Sequence, residues 1–213
     1  MKKRLCFILI FALCVSLLSV GASAADIEDW EDVVPEAPYT SGTWLGNDET
    51  GQPLYDTSWY TSGPNEDGAY TLYDAADLAG LSALLLQNYN WRDVGAKMGR
   101  PSGFPDGSNL INLQNATFIL KDNIDLSGHS WVPIEQFNGT FDGQGHTISN
   151  MSVTVGVTSS AGLFGYGSAK VQNVNLDNVY VVSANSSVGG IIGDARTGAI
   201  IKDCTVEGTI SFR

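Results

Sequence analysis

Three aspartates are the side chains best suited to chemistry: Asp122 and Asp125 in "KDNIDL", and Asp142 in "FDGQG". Hydrolysis or elimination needs two clustered acids, or an acid beside a base, on one face. Asp122 and Asp125 are three residues apart, with Ile124 between them and turn residues around them. No second acid recurs at a helpful offset from Asp142, and Asp before Gly is also what a tight turn requires. His129 and His146 lie 17 residues apart (146 − 129), outside any His-Glu-x-x-His sequence or Cys/His cluster. Cys204 has no histidine near it in sequence to activate it and reads as a small buried hydrophobe. No catalytic, cofactor-binding or metal residue is assigned on this reading. The acids could supply at most a weak Ca²⁺ site, because no ligand loop is evident.

The elements that would position these groups begin after an export signal. Lys2, Lys3 and Arg4 precede an apolar stretch from Leu5 to Val20, and Ala22-Ser23-Ala24 offers a small-x-small cleavage site. That is a secretory signal peptide over 1–24, too short for a membrane span and followed by no further hydrophobic stretch. The location expected is secreted or cell-surface. Without 1–24, Lys plus Arg falls from 11 to 8 while Asp plus Glu stays at 23, giving 8 − 23 = −15. Such a chain repels nucleic acid and anionic lipid surfaces. Cys6 and Cys14 leave with the signal, so Cys204 has no partner for an intramolecular disulfide.

Residues 25–55 form an acidic, largely irregular leader, rich in turn signals and single aromatics. The stretch up to Gly68 offers one or two short strands. Trp44, Tyr55, Trp59 and Tyr60 could stack on a sugar, but rings of this kind more often pack onto the domain that follows. Residues 56–115 form a cap region. Its helix, near 74–86, starts at Asp74 as N-cap, with Asp77 in the first turn. Leu78, Leu81 and Leu85 share one face that must cover something apolar. Residues 88–109 read as an irregular loop. From residue 116 onward, alternating short segments and Gly/Asn turns predict strands. Asn115, Asn138, Asn150 and Asn185 begin formal glycosylation sequons, of a kind that an Asn/Ser/Thr-rich coil produces by chance.

The region 116–213 repeats. "ISNMSV" at 148–153, "VQNVNL" at 171–176 and "IKDCTV" at 201–206 share one pattern, with starts 23 and 30 residues apart. "AGLFG" at 161–165 and "GGIIG" at 189–193 interleave with them. Such a period means stacked units, and short strands without helices suggest a parallel β-helix, a solenoid in which each coil pairs with the next. Met151, Val153, Val174, Leu176, Cys204 and Val206 would point inward. Asn150, Asn173 and Asp203 would turn a corner in left-handed conformation and stack as a polar ladder. Gly162, Gly165, Gly190 and Gly193 would supply positive φ or close backbone approach.

These segments, with "YTLYDAADLAGLSALLL", "FILKDNIDLSGHSWVPI" and "FNGTFDGQGHTISNM" before them, resemble the GLUG-motif repeats of bacterial secreted and surface proteins over roughly 56–213. The resemblance implies a mainly β fold, a right-handed parallel β-helix with one N-terminal capping α-helix. It implies a non-enzymatic, adhesin-like or structural module; such repeats also occur in large adhesins and in the non-catalytic part of immunoglobulin A proteases. The partners expected are a glycan or a host or microbial surface protein. Two alternatives stand beside it. One is a carbohydrate-active β-helix lyase or hydrolase, since "FDGQG" superficially matches the Asp-Gly-x-Gly of such hydrolases. The other is the N-terminal non-catalytic part of a larger surface protease, with the repeats apparently incomplete at residue 213.

Overall fold

A computed structural model describes residues 42–86, 113–154, 160–183 and 187–212. The signal peptide at 1–24, the leader as far as residue 41, the loop at 88–109 and the Asn185 sequon lie outside the described residues.

Among the described residues two helices come early: α1 (Ser58–Ser62) and α2 (Ala75–Leu86). Asp74 and Asp77 fasten the start of α2 reciprocally. Asp74 Oδ1 accepts the Asp77 N–H at 3.0 Å, and Asp77 Oδ2 accepts the Tyr73 N–H at 2.8 Å. The single apolar face read from Leu78, Leu81 and Leu85 understates the burial, since every residue from Asp77 to Leu86 is buried. Small residues allow this. A Cβ on Gly80 would collide with the Asp56 carbonyl, and the Ser82 hydroxyl donates to the Val132 carbonyl at 2.7 Å. In place of the strands expected before Gly68 there are α1 and isolated bridges, Thr43 with Ser130 and Asn47 with Pro53.

Among the described residues there are fourteen strands. First come β1 (Ala69–Leu72), β2 (Thr117–Leu120), β3 (Ile124–Asp125), β4 (Thr140–Asp142) and β5 (Thr147–Ser149). Next are β6 (Ser152–Thr154), β7 (Ser160–Ala161), β8 (Phe164–Gly167), β9 (Lys170–Gln172) and β10 (Asn175–Ser183). The described chain ends with β11 (Ser187–Val188), β12 (Ile192–Ala195), β13 (Ile200–Lys202) and β14 (Thr205–Phe212). All pairings between these strands are parallel. One ladder runs β1-β2-β4-β9-β13 and another β3-β5-β10-β14, with β6 also on β10; β7 pairs β11, and β8 pairs β12. The protein is therefore mainly β, built of parallel sheets whose successive strands are separated by long stretches of chain.

The register corrects one expectation. "VQNVNL" and "IKDCTV" do stack, Val171 on Ile201 and Leu176 on Val206. "ISNMSV" does not stack on "VQNVNL". Ile148 pairs with Leu176 and Ser152 with Tyr180, so its partner is "LDNVYV" at 176–181, 28 residues on (176 − 148). Both hexamers read aliphatic, polar, Asn, apolar, polar, aliphatic, so the pattern alone cannot choose between overlapping registers. Asn150, Asn173 and Asp203 are left-handed as expected, at φ 58°, 53° and 51°, and Asn178 joins them at 50°.

Inward side chains form one core. Met151, Val153, Val174 and Leu176 are buried, and Phe164 stacks on Phe137 at 5.2 Å and meets Phe141 edge-on at 5.3 Å. Cys204, expected to be buried, is only partly so, because it lies in the last described rung. None of Gly162, Gly165, Gly190 and Gly193 has positive φ; close approach is their reason for being glycine. A Cβ on Gly162 would lie 2.8 Å from the Gly189 carbonyl oxygen, and one on Gly193 2.8 Å from the Ala161 nitrogen. Adjacent rungs thus touch backbone to backbone at Gly162 and Gly193, whereas the Glu135 side chain takes the space at Gly165 and the Val206 side chain that at Gly190.

Two stability outcomes follow. Phe164→Ala should cost about 3–5 kcal/mol in urea unfolding, whereas exposed Lys170→Ala should change stability by less than about 0.5 kcal/mol. Gly80→Ala should destabilise by roughly 1–3 kcal/mol despite alanine's better helix propensity, because its methyl meets the Asp56 carbonyl. A stabilised Gly80→Ala variant would show that α2 has room to shift away from Asp56.

Candidate functional site

The acids singled out by type are engaged in turns. Asp125 Oδ1 accepts hydrogen bonds from the Ser127 N–H and from Asn150 Nδ2, both at 2.9 Å, and Oδ2 accepts from the Ser127 hydroxyl at 3.1 Å. Asp142 Oδ1 accepts from the Gln144 N–H and from Asn173 Nδ2, both at 2.9 Å, and Oδ2 accepts from Gln172 Nε2 at 2.7 Å. Asp122 Oδ1 accepts the N–H of its neighbour Asn123 at 2.8 Å. The Asn150 carboxamide, with Ser127 behind it, holds the Asp125 carboxyl below the usual carboxylate range. Burial pushes the Asp142 carboxyl up, but hydrogen bonds from Asn173, Gln144 and Gln172 outweigh it and leave the group lowered. A general acid needs the opposite shift, so both groups are suited to holding turns as carboxylates.

The other sequence candidates are dispersed. His146 sits in the turn after β4; its N–H donates to the Gly143 carbonyl at 2.8 Å and its carbonyl accepts from the Asn175 N–H at 3.2 Å. His129 is half-buried against the edge of Trp44, ring centroids 5.1 Å apart. Trp59 and Tyr55 are buried, and Trp44 and Tyr60 pack on the core. Trp44 Nε1 donates to the Leu126 carbonyl at 3.1 Å, and Trp59 Nε1 to the Asp56 carbonyl at 2.9 Å. The four rings are packing residues here. Among the described residues, no three His, Cys, Asp or Glu side chains come together to hold a metal ion. Nor is any described helix long and apolar enough to cross a membrane.

What the fold does assemble is a column of polar groups at the left-handed corner between β5 and β6. Asn178 Nδ2 donates to Asn150 Oδ1 at 2.6 Å, and Asn150 Nδ2 donates to Asp125. Asn150 and Asn178 hold the same corner position on successive rungs, and Asp125, which pairs with Ser149 one residue before that corner, joins the column from the rung below. A cavity of about 210 Å³ opens beside them, lined by Leu126, Gly128 and His129 on one rung and by Asn150, Ser152 and Asn178 on the next two. The Ser152 hydroxyl is buried there without a hydrogen-bond partner. The lining offers carboxamides, a hydroxyl and an imidazole beside one apolar wall. It carries no lysine or arginine for an anionic ligand, and it suits a neutral, hydroxyl-rich one. Asn178 was not singled out from the sequence, because the shifted register hid its equivalence to Asn150. Glu135 was also missed. It is buried, and its carboxylate fills the space where a Gly165 side chain would be.

The corner generates a pH prediction. The folded pKa values of Asp125 and Asp142 are depressed, so their stabilisation is complete above the unfolded carboxyl value of about 3.9 and is lost as pH falls through the folded values. Urea midpoints should fall between about pH 5 and about pH 2, and less steeply for an Asp125→Asn/Asp142→Asn double variant. Identical slopes would remove the corner from the account of acid stability.

Halomucin of Haloquadratum walsbyi (strain DSM 16790 / HBSQ001) is 29% identical over 161 residues, covering 73% of this chain and 2% of that relative's length. A crystal structure of a candidate immunoglobulin A1 protease from Bacteroides ovatus is 21% identical, with a TM-score of 0.47, covering 68% of this chain and 39% of that one. The chain therefore spans a small part of the one relative and under half of the other. The family model of the GLUG motif matches residues 184–211, a segment that includes β11, β12, β13 and most of β14. Residues 184–211 of this chain are a GLUG motif.

Proposed function

We propose that this chain is a non-enzymatic, extracytoplasmic module whose ladders are the faces of one right-handed parallel β-helix, with α2 as its N-terminal cap. Its asparagine corner holds a neutral glycan. The observation that carries the reading is the polar column Asp125-Asn150-Asn178 beside a cavity with a buried, unpartnered Ser152 hydroxyl. A sugar hydroxyl there could both donate and accept, satisfying Ser152. The all-parallel pairing across about one coil of chain supports the solenoid. The secretory start at 1–24 and the likeness to halomucin support a surface or secreted location. The lyase or hydrolase reading loses ground because Asp125 and Asp142 are spent on turn hydrogen bonds with lowered pKa values.

The mature chain should begin at Ala25 by intact mass and be open to protease added to whole cells. Titrated against a panel of neutral and acidic oligosaccharides, it should bind neutral ones without generating new reducing ends or unsaturated products. Asn178→Ala should weaken that binding by about tenfold, the worth of a polar contact or two. Turnover abolished by Asp142→Asn with the fold intact would replace this reading with the enzyme; binding unchanged by Asn178→Ala would move the site away from the corner.

A further inference from the structure

The cavity beside the asparagine column has a size and a polarity that narrow its occupant, once it is read as a glycan site. Its volume is about 210 Å³. A cavity of about 150 Å³ accommodates one benzene molecule, so this one takes a single six-membered ring with its hydroxyls. Leu126 and Ser152 are 0% and 1% exposed and form the inner end, while Gly128 and Asn178 are exposed at the mouth. Met151 and Val153, on either side of Ser152, fill inward positions, so the Ser152 hydroxyl lies on the outer face of β6. It is nevertheless buried without a hydrogen-bond partner. A buried hydroxyl without a partner is costly to the free protein, and a ligand hydroxyl at the inner end removes that cost.

We infer that Ser152 is the specificity-determining residue of this site, and that the site takes one neutral pyranose unit, free or at a chain end, by a ring hydroxyl seated on Ser152. This rests on the glycan reading and deepens it. The column fixes what else the unit meets. The Asp125 carboxylate can only accept, so Asn150 must present Nδ2 to it and Oδ1 to Asn178, which in turn presents its own Nδ2. The donors therefore run one way, from Asn178 to Asn150 to Asp125. Asn178 keeps its carbonyl oxygen and one N–H, an acceptor and a donor for a second hydroxyl at the mouth. Leu126 receives the apolar C–H face of the ring. A ring that lacks the seated hydroxyl leaves Ser152 buried and unpaired. It is therefore rejected more strongly than one that lacks a hydroxyl at the mouth, where water takes the vacant place.

The test is titration calorimetry of the full mature chain with glucose, galactose and mannose, each beside its monodeoxy analogues and a neutral oligosaccharide ending in it. One hexose should bind within about threefold of the oligosaccharide that it terminates, and one of its monodeoxy analogues at least about tenfold more weakly. Ser152→Ala should weaken the hexose and abolish its advantage over that analogue. With no sugar present, Ser152→Ala should raise the urea midpoint, because it removes the unpaired hydroxyl; a serine with a purely structural role would lower it. Binding that Asn178→Ala weakens and Ser152→Ala leaves alone, or affinity that climbs with oligosaccharide length, would overturn this assignment and leave the glycan site standing. A lowered midpoint for Ser152→Ala would overturn it as well. No binding of any of these sugars or oligosaccharides would overturn the glycan reading and this inference with it.

Discussion

Parallel register between strands about one coil apart is the constraint on which everything else depends. A parallel strand cannot be reached by a tight hairpin, so each pairing commits a whole coil of chain before it forms. Once Ile148 lies against Leu176, Asn150 must lie against Asn178, and Val153 against Val181. A shift by one residue would exchange the core for the surface. The glycines at 162 and 193 and the glycine before Tyr166 act on this register. They let backbone meet backbone, and in the last case let Glu135 fill the space a side chain would take.

The same register converts a local conformational preference into a long-range polar structure. Asn and Asp tolerate left-handed φ one residue at a time. Stacking places them over one another, and the carboxamides then bridge rungs that are 25 and 28 residues apart in sequence. Aspartates of catalytic type are absorbed into this scaffold, and their lowered pKa values record the hydrogen bonds that hold them. The cavity lies beside the column, where the Ser152 hydroxyl is buried but the column does not reach it.

The first and last described strands have different surroundings. Near the start, α2 is buried, fastened by the Asp74–Asp77 pair and by Ser82 on the Val132 carbonyl. In the last described rung Ile201, Val206 and Ile210 are exposed, whereas their partners Val171, Leu176 and Val181 are buried.

Much of this was legible in the residues themselves. Asp74 and the leucines after it specify α2, because capping and helical spacing are local. Asn150, Asn173 and Asp203 announce their left-handed backbone, because the preference belongs to the residue type. The repeat announces parallel stacking, because a pattern recurring at this interval has no other economical burial. What the residues could not decide is which copies touch. "ISNMSV" fits both "VQNVNL" and "LDNVYV", and only the three-dimensional pairing chose the second, thereby bringing Asn178 into the corner. Nor could they show that Gly165 is small because of Glu135, or Gly80 because of Asp56. Those are distances between atoms far apart in sequence, set when all rungs close together, and no property of either residue encodes them.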